Sequence, residues 1–256
     1  MSGHRIGSGR GPRARPGSAA QAAAALKGML AFLALLLASP LAAQEGPPPP
    51  CPGAGGAFFL EATSQYLSFQ AGDLDGAAVL GNADQVFYVP RVKSSLGFGI
   101  GIGRRFRSGL WALSYLVSGH DASTRAGEAT AVARQVQVNA RTFLLRSTRL
   151  RPFLHFGLNF PWLRVRNGAA DATGKSFDAT YAGVGANAGA GFMAPVSARM
   201  FFSASLLYRY VGYLYAFGPV KGIDVTDLFD DVSGPRHRRY LRAPVIALEL
   251  SLGYEL

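Results

Sequence analysis

The chain has 256 residues, of which 49% are hydrophobic and only 16% are charged. No segment reaches the roughly 20 consecutive apolar residues that a transmembrane helix needs, so a membrane-spanning structure would have to be a closed β-barrel. The formal charge of +11 includes five basic residues and no acidic residue before Gln44. The other 21 basic and 15 acidic residues leave +6, and without a basic helix or an aromatic RNA-binding motif this excess does not indicate nucleic-acid binding.

Residues 1–43 are predicted to be an N-terminal extension followed by a secretory signal peptide. Residues 1–25 are rich in Gly, Ala, Ser and Arg and show no periodicity. Lys27 then precedes an apolar stretch, residues 29–37, and a run of mostly small residues. A cation, a short apolar core and small residues are the three parts of a signal peptide, with cleavage expected after Ala43. A short membrane anchor or a buried helix is the alternative.

Residues 44–56 are predicted to be an extended linker, because they contain four consecutive prolines and several glycines. Cys51 is the only cysteine and therefore has no disulfide partner within the chain. The prolines before it do not supply the small-residue box of a lipoprotein signal. This favours a free linker thiol over a lipid anchor.

Beyond residue 56, eight segments alternate apolar residues with small or polar ones, which is the period-two pattern of β-strands. In the fourth segment, for example, Val136 and Val138 alternate with Gln135 and Gln137. The eight segments are residues 57–69, 91–105, 109–118, 130–145, 152–165, 179–193, 198–214 and 245–256. Many short alternating segments of this kind predict an all-β fold.

The connections between these segments alternate strictly between short and long. The short ones are residues 106–108, 146–151 and 194–197, and the long ones are residues 70–90, 119–129, 166–178 and 215–242. An even number of strands with short turns at one end and long loops at the other is typical of outer-membrane barrels. Residues 57–256 are therefore predicted to form an eight-stranded antiparallel up-and-down transmembrane β-barrel with four long external loops.

The closing segment has one apolar face that continues to the final residue. That face includes Leu248, Leu250, Leu252, Tyr254 and Leu256. It resembles the C-terminal assembly signal of bacterial outer-membrane β-barrels, with Tyr254 third from the end, although that family usually ends in Phe or Trp and this chain ends in Leu256. A strand with lipid on one side and a polar lumen on the other would have this pattern.

Residues 57–256 thus resemble the OmpA/OmpX/OmpW-like family of small bacterial outer-membrane β-barrels, on architecture and the terminal strand. The resemblance implies a monomer exported to the outer membrane. It also implies membrane lipids, including lipopolysaccharide, and the barrel assembly machinery as partners. Members of such families act as structural proteins, as surfaces for adhesion, or as narrow channels.

The polar face is rich in glycine and poor in flexible charged residues, which suits a cramped barrel interior. An eight-stranded barrel has a lumen that side chains can just fill, and charges buried there must be paired. A paired lumen network is expected from Glu61, Lys93, Arg141, His155, Arg209 and Glu249, with rim positions in water as the alternative for Lys93 and Arg209. Aromatic girdles at the membrane surfaces are expected from Phe58, Phe106, Trp111, Trp162, Tyr208, Tyr210, Tyr213 and Tyr254.

Basic residues in the long connections could pair with lipopolysaccharide phosphates. These candidates are Arg164, Arg166, Lys175, Arg236, Arg238 and Arg239. Signals for catalysis are weak: His120, Asp121 and Ser123 are close in sequence, but polar residues are common in a loop. No catalytic residue, metal site or cofactor is predicted.

The sequence therefore favours a non-enzymatic outer-membrane barrel with a filled polar lumen and a structural or surface-interaction role. Three alternatives stay open at this point. They are a narrow channel for small or apolar solutes, a lipid A-modifying barrel enzyme, and a soluble secreted carrier of the lipocalin type. A lipocalin would keep its apolar face inside the barrel.

Overall fold

A computed structural model describes residues 56–70, 72–76, 79–81, 85–145, 150–218, 222–224 and 240–256. The predicted signal peptide, Cys51 with almost all of the linker, and the basic residues Arg236, Arg238 and Arg239 lie outside these ranges. The described strands are β1 (Ala57–Phe69), β2 (Val79–Gly81), β3 (Gln85–Tyr88), β4 (Arg91–Val92), β5 (Ser95–Phe106), β6 (Gly109–Thr124), β7 (Gly127–Phe143), β8 (Arg151–Asp171), β9 (Ser176–Pro195), β10 (Met200–Phe217), β11 (Gly222–Asp224) and β12 (Leu241–Glu255). None of the described residues belongs to a helix long and apolar enough to cross a membrane.

Eight long strands pair antiparallel in a closed ring. The ring runs β1–β5–β6–β7–β8–β9–β10–β12, and β12 then pairs with β1 from Phe59 opposite Glu255 to Phe69 opposite Val245. Closure leaves none of these strands with an unpaired edge. The predicted eight-stranded antiparallel barrel is confirmed.

The barrel has two ends with different connections. At the turn end, β1 begins, β12 ends, and residues 107–108, 144–150 and 196–199 join the strands. The other four connections lie at the loop end. Two of the predicted strands agree closely with the observed ones, since β1 is the predicted segment and β12 begins four residues earlier than expected.

Two of the four predicted long loops are wrong. β6 and β7 continue as paired strands to a two-residue turn, residues 125–126, and β8 and β9 continue to a four-residue turn, residues 172–175. Gly174 has φ of 80° in the second turn, which favours glycine. Asp171 Oδ1 accepts from the Thr173 and Lys175 backbone nitrogens at 3.0 and 2.9 Å, which fixes this turn without a long loop.

The connection from β1 to β5 is long, but its described residues pack across the loop end instead of projecting outward. Within this segment, called the cap (residues 70–94), β2 and β3 form a hairpin. β3 pairs with the end of β8, and β4 pairs with the end of β6 at Ala122 and Ser123. The predicted second strand is accordingly divided, because residues 93–94 separate β4 from β5.

Burial alternates along the ring strands and places the apolar face outside. On β8, the outward residues from Leu154 to Trp162 are all apolar and at least partly exposed. This stretch of nine residues matches the roughly 9–11 residues that a tilted strand needs to cross a bilayer. Apolar residues continue the belt on the other ring strands, including Phe98, Ile100, Leu113, Val138, Leu206 and Leu252.

Glycines on the inner face leave room for large side chains from neighbouring strands. Gly253 on β12 lies opposite Phe201 on β10, and a Cβ atom at Gly253 would overlap the Phe201 ring. Gly103 on β5 similarly lies opposite Phe59 on β1. The glycine rows noted in the sequence therefore serve close packing inside the barrel.

We predict that Gly253→Ala lowers the free energy of unfolding by about 1–3 kcal/mol, because the added methyl group overpacks the turn end against Phe201. The matched control is Gly119→Ala on β6, where an added Cβ meets no atom within 4 Å and the change should stay within about 0.5 kcal/mol. Guanidinium unfolding of each variant in detergent micelles measures the difference. Equal losses in both variants would contradict the packing argument.

Candidate functional site

The barrel interior is built in three layers, and the layer at the turn end is apolar. Phe59, Phe153 and Phe201 are at most 1% exposed there. The Phe59 and Phe201 rings meet edge to face with centroids 5.3 Å apart. The full layer contains Phe59, Leu110, Ala112, Phe143, Phe153, Met193 and Phe201. These side chains close the lumen at the turn end.

The middle layer is polar and is centred on Arg141 from β7. Its Nη2 atom donates to Glu61 Oε1 at 2.7 Å and to Glu249 Oε1 at 2.9 Å, while Nη1 donates to Glu61 Oε2 at 3.2 Å. All three side chains are at most 3% exposed. Arg141 thus joins the first and last strands of the ring to the opposite wall.

A second arginine extends this network toward the loop end. Arg209 Nη2 lies 3.9 Å from Glu249 Oε2, and the Gln65 amide donates to the same carboxylate oxygen. The Gln137 amide, turned with its oxygen toward Arg209, accepts from Nη1 and Nη2 at 3.2 and 3.0 Å. Glu249 therefore contacts both arginines, and two buried carboxylates face two buried guanidinium groups.

Five of the six residues predicted for the lumen lie together in this layer. His155 is fully buried with its Nδ1 atom 3.9 Å from Glu249 Oε1, and Arg209 is buried in the network and not at a rim. The assignment of Lys93 to the lumen is wrong, because its side chain is exposed in the connection between β4 and β5. Gln65, Gln137 and Asn139, which are absent from the predicted network, are also buried beside these charges and belong to the same layer.

The third layer is apolar and closes the loop end. Leu80, Phe87 and Val89 from the cap are at most 1% exposed and pack with barrel residues such as Leu163 and Tyr181. Tyr181 Oη donates to the Tyr88 carbonyl oxygen at 2.6 Å. Asp73 N donates to the Arg242 carbonyl oxygen at 2.8 Å, and Arg242 N donates back to Asp73 Oδ2 at 2.9 Å. These bonds hold the cap in the mouth of the barrel.

The loop end also explains one wrong assignment among the girdle aromatics. Tyr213 is 2% exposed and lies inside, where its ring meets Tyr181 edge to face. Tyr213 lies four residues after inward-facing Arg209, so regular alternation places it inside. A bulge between Tyr213 and Tyr215 then turns Tyr215 outward. The other predicted girdle residues are exposed or partly exposed.

His120, Asp121 and Ser123 do not form a catalytic arrangement. They lie on β6, where His120 points inward and is buried while Asp121 points outward. His120 Nδ1 donates to the Lys93 carbonyl oxygen at 2.9 Å, and its Nε2 accepts from the Ser118 hydroxyl at 2.8 Å. Among the described residues, no three His, Cys, Asp or Glu side chains are grouped to hold a metal ion.

The outer surface carries a groove at the loop-end margin of the apolar belt. Above Trp162 on β8, the outward positions become Arg164 and Arg166, and Arg134 faces outward on neighbouring β7. The groove also includes Tyr115, Thr130, Val132, Val136, Asp178 and Thr180. Arg134 was missed in the sequence, although its position between outward-facing Val132 and Val136 marks it as a charge on the outer face.

Of the other residues predicted to contact lipopolysaccharide, Lys175 is exposed in the β8–β9 turn, with its Nζ atom 5.6 Å from the Phe177 ring centre.

The closing-strand residues all face outward on β12 or directly after it: Leu248, Leu250, Leu252, Tyr254 and Leu256. The Leu256 backbone nitrogen donates to the Phe58 carbonyl oxygen at 2.9 Å, which extends the β1–β12 pairing to the final residue.

No protein-family model matches the chain, and no curated protein sequence matches it. Solved structures of similar fold include Neisserial surface protein A, at 13% identity and a TM-score of 0.47 over 78% of this chain and 97% of that one. A major outer membrane protein from Thermus thermophilus has 8% identity and a TM-score of 0.47, covering 78% and 100%. The outer membrane protein OprG from Pseudomonas aeruginosa has 14% identity and a TM-score of 0.41, covering 78% and 96%.

These similarities concern the fold, which the strand pairing of this chain establishes by itself. The chain is an eight-stranded β-barrel. Its apolar side chains face outward in a belt, and its lumen is filled in three layers.

We predict that Arg141→Ala lowers the free energy of unfolding by about 3–5 kcal/mol, because it leaves Glu61 and Glu249 buried without their shared partner. Arg107→Ala, which removes the same charge from the exposed β5–β6 turn, should change it by less than about 0.5 kcal/mol. Guanidinium unfolding in detergent micelles measures both values. A loss below about 1 kcal/mol for Arg141→Ala would contradict the network.

We predict that acidification loosens the cap. His120 lies beyond Val117, the last exposed apolar residue of β6, and burial lowers its pKa below the ordinary value of 6.5. Below about pH 6.5 the released state therefore binds more protons than the docked state, and the stability of docking falls as pH falls toward the lowered pKa.

Hydrogen exchange of residues 70–94 at pH 7.5 and 5.5, corrected for intrinsic rates, measures this effect. The wild-type cap should lose protection at the lower pH. His120→Gln removes the titrating group and should remove the pH dependence. The same loss of protection in His120→Gln would show that another group is responsible.

Proposed function

We propose that this chain is a non-enzymatic, non-conducting integral β-barrel of the bacterial outer membrane, with a structural or surface-interaction role. The observation that carries the proposal is the combination of an apolar outer belt with a filled lumen. A polypeptide surface of this kind is stable against lipid, because the closed ring satisfies its backbone hydrogen bonds internally.

The outward apolar face argues against a soluble carrier. A lipocalin-type barrel exposes polar residues to water and keeps an apolar cavity for its ligand. Here Phe98, Ile100 and Leu206 are more than half exposed, whereas Glu61 and Arg141 are buried inside. In water this belt would drive aggregation.

The filled interior argues against a channel. A solute would have to pass the aromatic layer at Phe59, Phe153 and Phe201, then the ion-paired middle layer, and then the cap.

The position of His120 argues against the enzyme alternative. His120 is buried, and its two ring nitrogens form hydrogen bonds with the Ser118 hydroxyl and the Lys93 carbonyl oxygen.

The partners proposed for this barrel follow from its two surfaces. The outward apolar row of β12 suits recognition by the barrel assembly machinery, and the basic residues above the belt suit lipopolysaccharide. The monomeric state is part of the same proposal, since an eight-stranded ring closes within one chain.

Two measurements test this function. In a membrane fraction from the expressing bacterium, the protein should be recovered with the outer membrane, and unboiled and boiled samples should migrate differently on a gel. In a planar bilayer, the folded protein should give no reproducible conductance steps under conditions in which a general porin does.

Each measurement can contradict the proposal separately. Recovery in solution without detergent, with no change of mobility on boiling, would overturn the membrane location. Reproducible conductance steps from a sample that shows the gel shift would leave the barrel in place and overturn the sealed lumen.

A further inference from the structure

We propose that the groove across β6, β7, β8 and β9 is a binding site for a lipid that carries a phosphate monoester. The site is on the outer wall of the barrel, separate from the lumen network. It rests on the proposed membrane location, because only a barrel surrounded by lipid presents this groove to the headgroup region of a leaflet.

Strand register brings three guanidinium groups together in the groove. Val132 on β7 lies opposite Arg164 on β8, and Arg134 lies opposite Trp162. Arg134 is therefore diagonal to Arg164, at a distance that long side chains can bridge. Arg166 follows two residues after Arg164 on the same face, so the three side chains project outward from one stretch of β7 and β8 that begins at the Arg134–Trp162 pair.

The residues that line the groove carry more positive than negative charge. Arg164 donates to Asp178 Oδ2 from Nε at 3.2 Å and from Nη2 at 2.8 Å, and both side chains remain largely exposed. Arg134, Arg164 and Arg166 against Asp178 leave a net charge of +2 among the groove residues. A phosphate monoester approaches a charge of −2 near neutral pH, and a guanidinium group binds phosphate oxygens in a bidentate manner.

The lower half of the groove is apolar and belongs to the belt. Trp162 and Tyr115 are each more than 40% exposed, and Val136 on β7 lies opposite Tyr115. Tryptophan and tyrosine side chains favour the membrane interface, where an apolar ring meets polar headgroups. The groove is therefore amphipathic in the same orientation as a lipid in the leaflet. Acyl chains would lie beside the aromatic rings, and the phosphate would lie at the arginines.

Acidic residues limit the site toward the loop end. Asp121 faces outward opposite Thr130, and Glu128 faces outward opposite Ser123 near the β6–β7 turn. These carboxylates would repel an anion that moved further from the belt. They restrict the phosphate to the stretch between Trp162 and Arg166, from which Arg134 and Arg164 also project outward.

Intrinsic fluorescence provides a local readout, because Trp111 and Trp162 are the only two tryptophans in the chain. In a Trp111→Phe background, Trp162 reports from inside the groove. The folded barrel in uncharged detergent micelles is titrated with a bisphosphorylated glucosamine lipid, with its dephosphorylated form, and with phosphatidylglycerol, a phosphodiester. The bisphosphorylated lipid should produce a saturable change in Trp162 emission and bind at least about tenfold more tightly than either of the others.

Charge removal provides the second arm. Arg164→Gln combined with Arg166→Gln should weaken binding of the bisphosphorylated lipid by at least about tenfold, because each lost guanidinium removes a hydrogen bond to a charged group. Arg125→Gln is the matched control, since Arg125 is exposed in the β6–β7 turn outside the groove. It should leave the affinity unchanged.

Three results would overturn the site. They are no saturable change with the bisphosphorylated lipid, equal binding of all three lipids, and an equal loss of affinity in the control variant. Gel mobility with and without boiling is recorded for every sample. A sample that is folded by this measure but does not bind lipid refutes the site alone, whereas a sample without the gel shift bears on the proposed membrane barrel.

Discussion

The ion pairs that Arg141 makes with Glu61 and Glu249 are the interaction on which the barrel interior depends. Taking these groups out of water costs several kcal/mol for each charge, and only close pairing offsets that cost. Glu61 is on the first strand and Glu249 on the last, so the pairing is complete only when β1 and β12 meet. Burial of charge and closure of the ring are therefore one event: an open ring would leave the two carboxylates without a common partner.

The rest of the interior follows from this arrangement. Glycine rows leave space beside the large inward side chains, as Gly253 does for Phe201 and Gly103 for Phe59. Apolar layers on both sides keep water away from the charged layer, which strengthens the ion pairs by lowering the local dielectric. An interior that must be dry to be stable is poorly suited to conduct, so any specific contact with the surroundings falls to the outer surface and the loop end.

Much of this fold could be predicted from the sequence, because a residue in a strand can face only inside or outside. Period-two alternation located the eight ring strands and placed Glu61, Arg141, His155, Arg209 and Glu249 on the inner face. The same rule failed where polarity no longer differs between the faces. Residues 119–124 and 166–171 continue as strands beyond the belt, where the outer face meets water and carries polar side chains, so these extensions look like loops.

The cap could not be predicted for a different reason. Residues such as Leu80 and Phe87 are buried by contacts with strands far along the chain, and no local pattern in residues 70–94 indicates those partners. The assignment of Lys93 to the lumen failed for the same reason, because the direction of its side chain depends on how the cap crosses the mouth of the barrel. Arg134, in contrast, has the same parity as Val132 and Val136 on β7, so period-two alternation is sufficient to place its charge on the outer face.

The two groups of arginines differ in how far nearby carboxylates compensate their charge, and this difference indicates which group can bind a partner. Arg141 and Arg209 are buried with two carboxylates and have no remaining charge to offer. Arg134, Arg164 and Arg166 lie at the margin of an apolar belt with only Asp178 among them, where nearby lipid raises the cost of an uncompensated charge. A cationic group in that position is most stable when an anion from the leaflet lies beside it, which is why we propose the outer wall, and not the lumen, as the binding surface of this barrel.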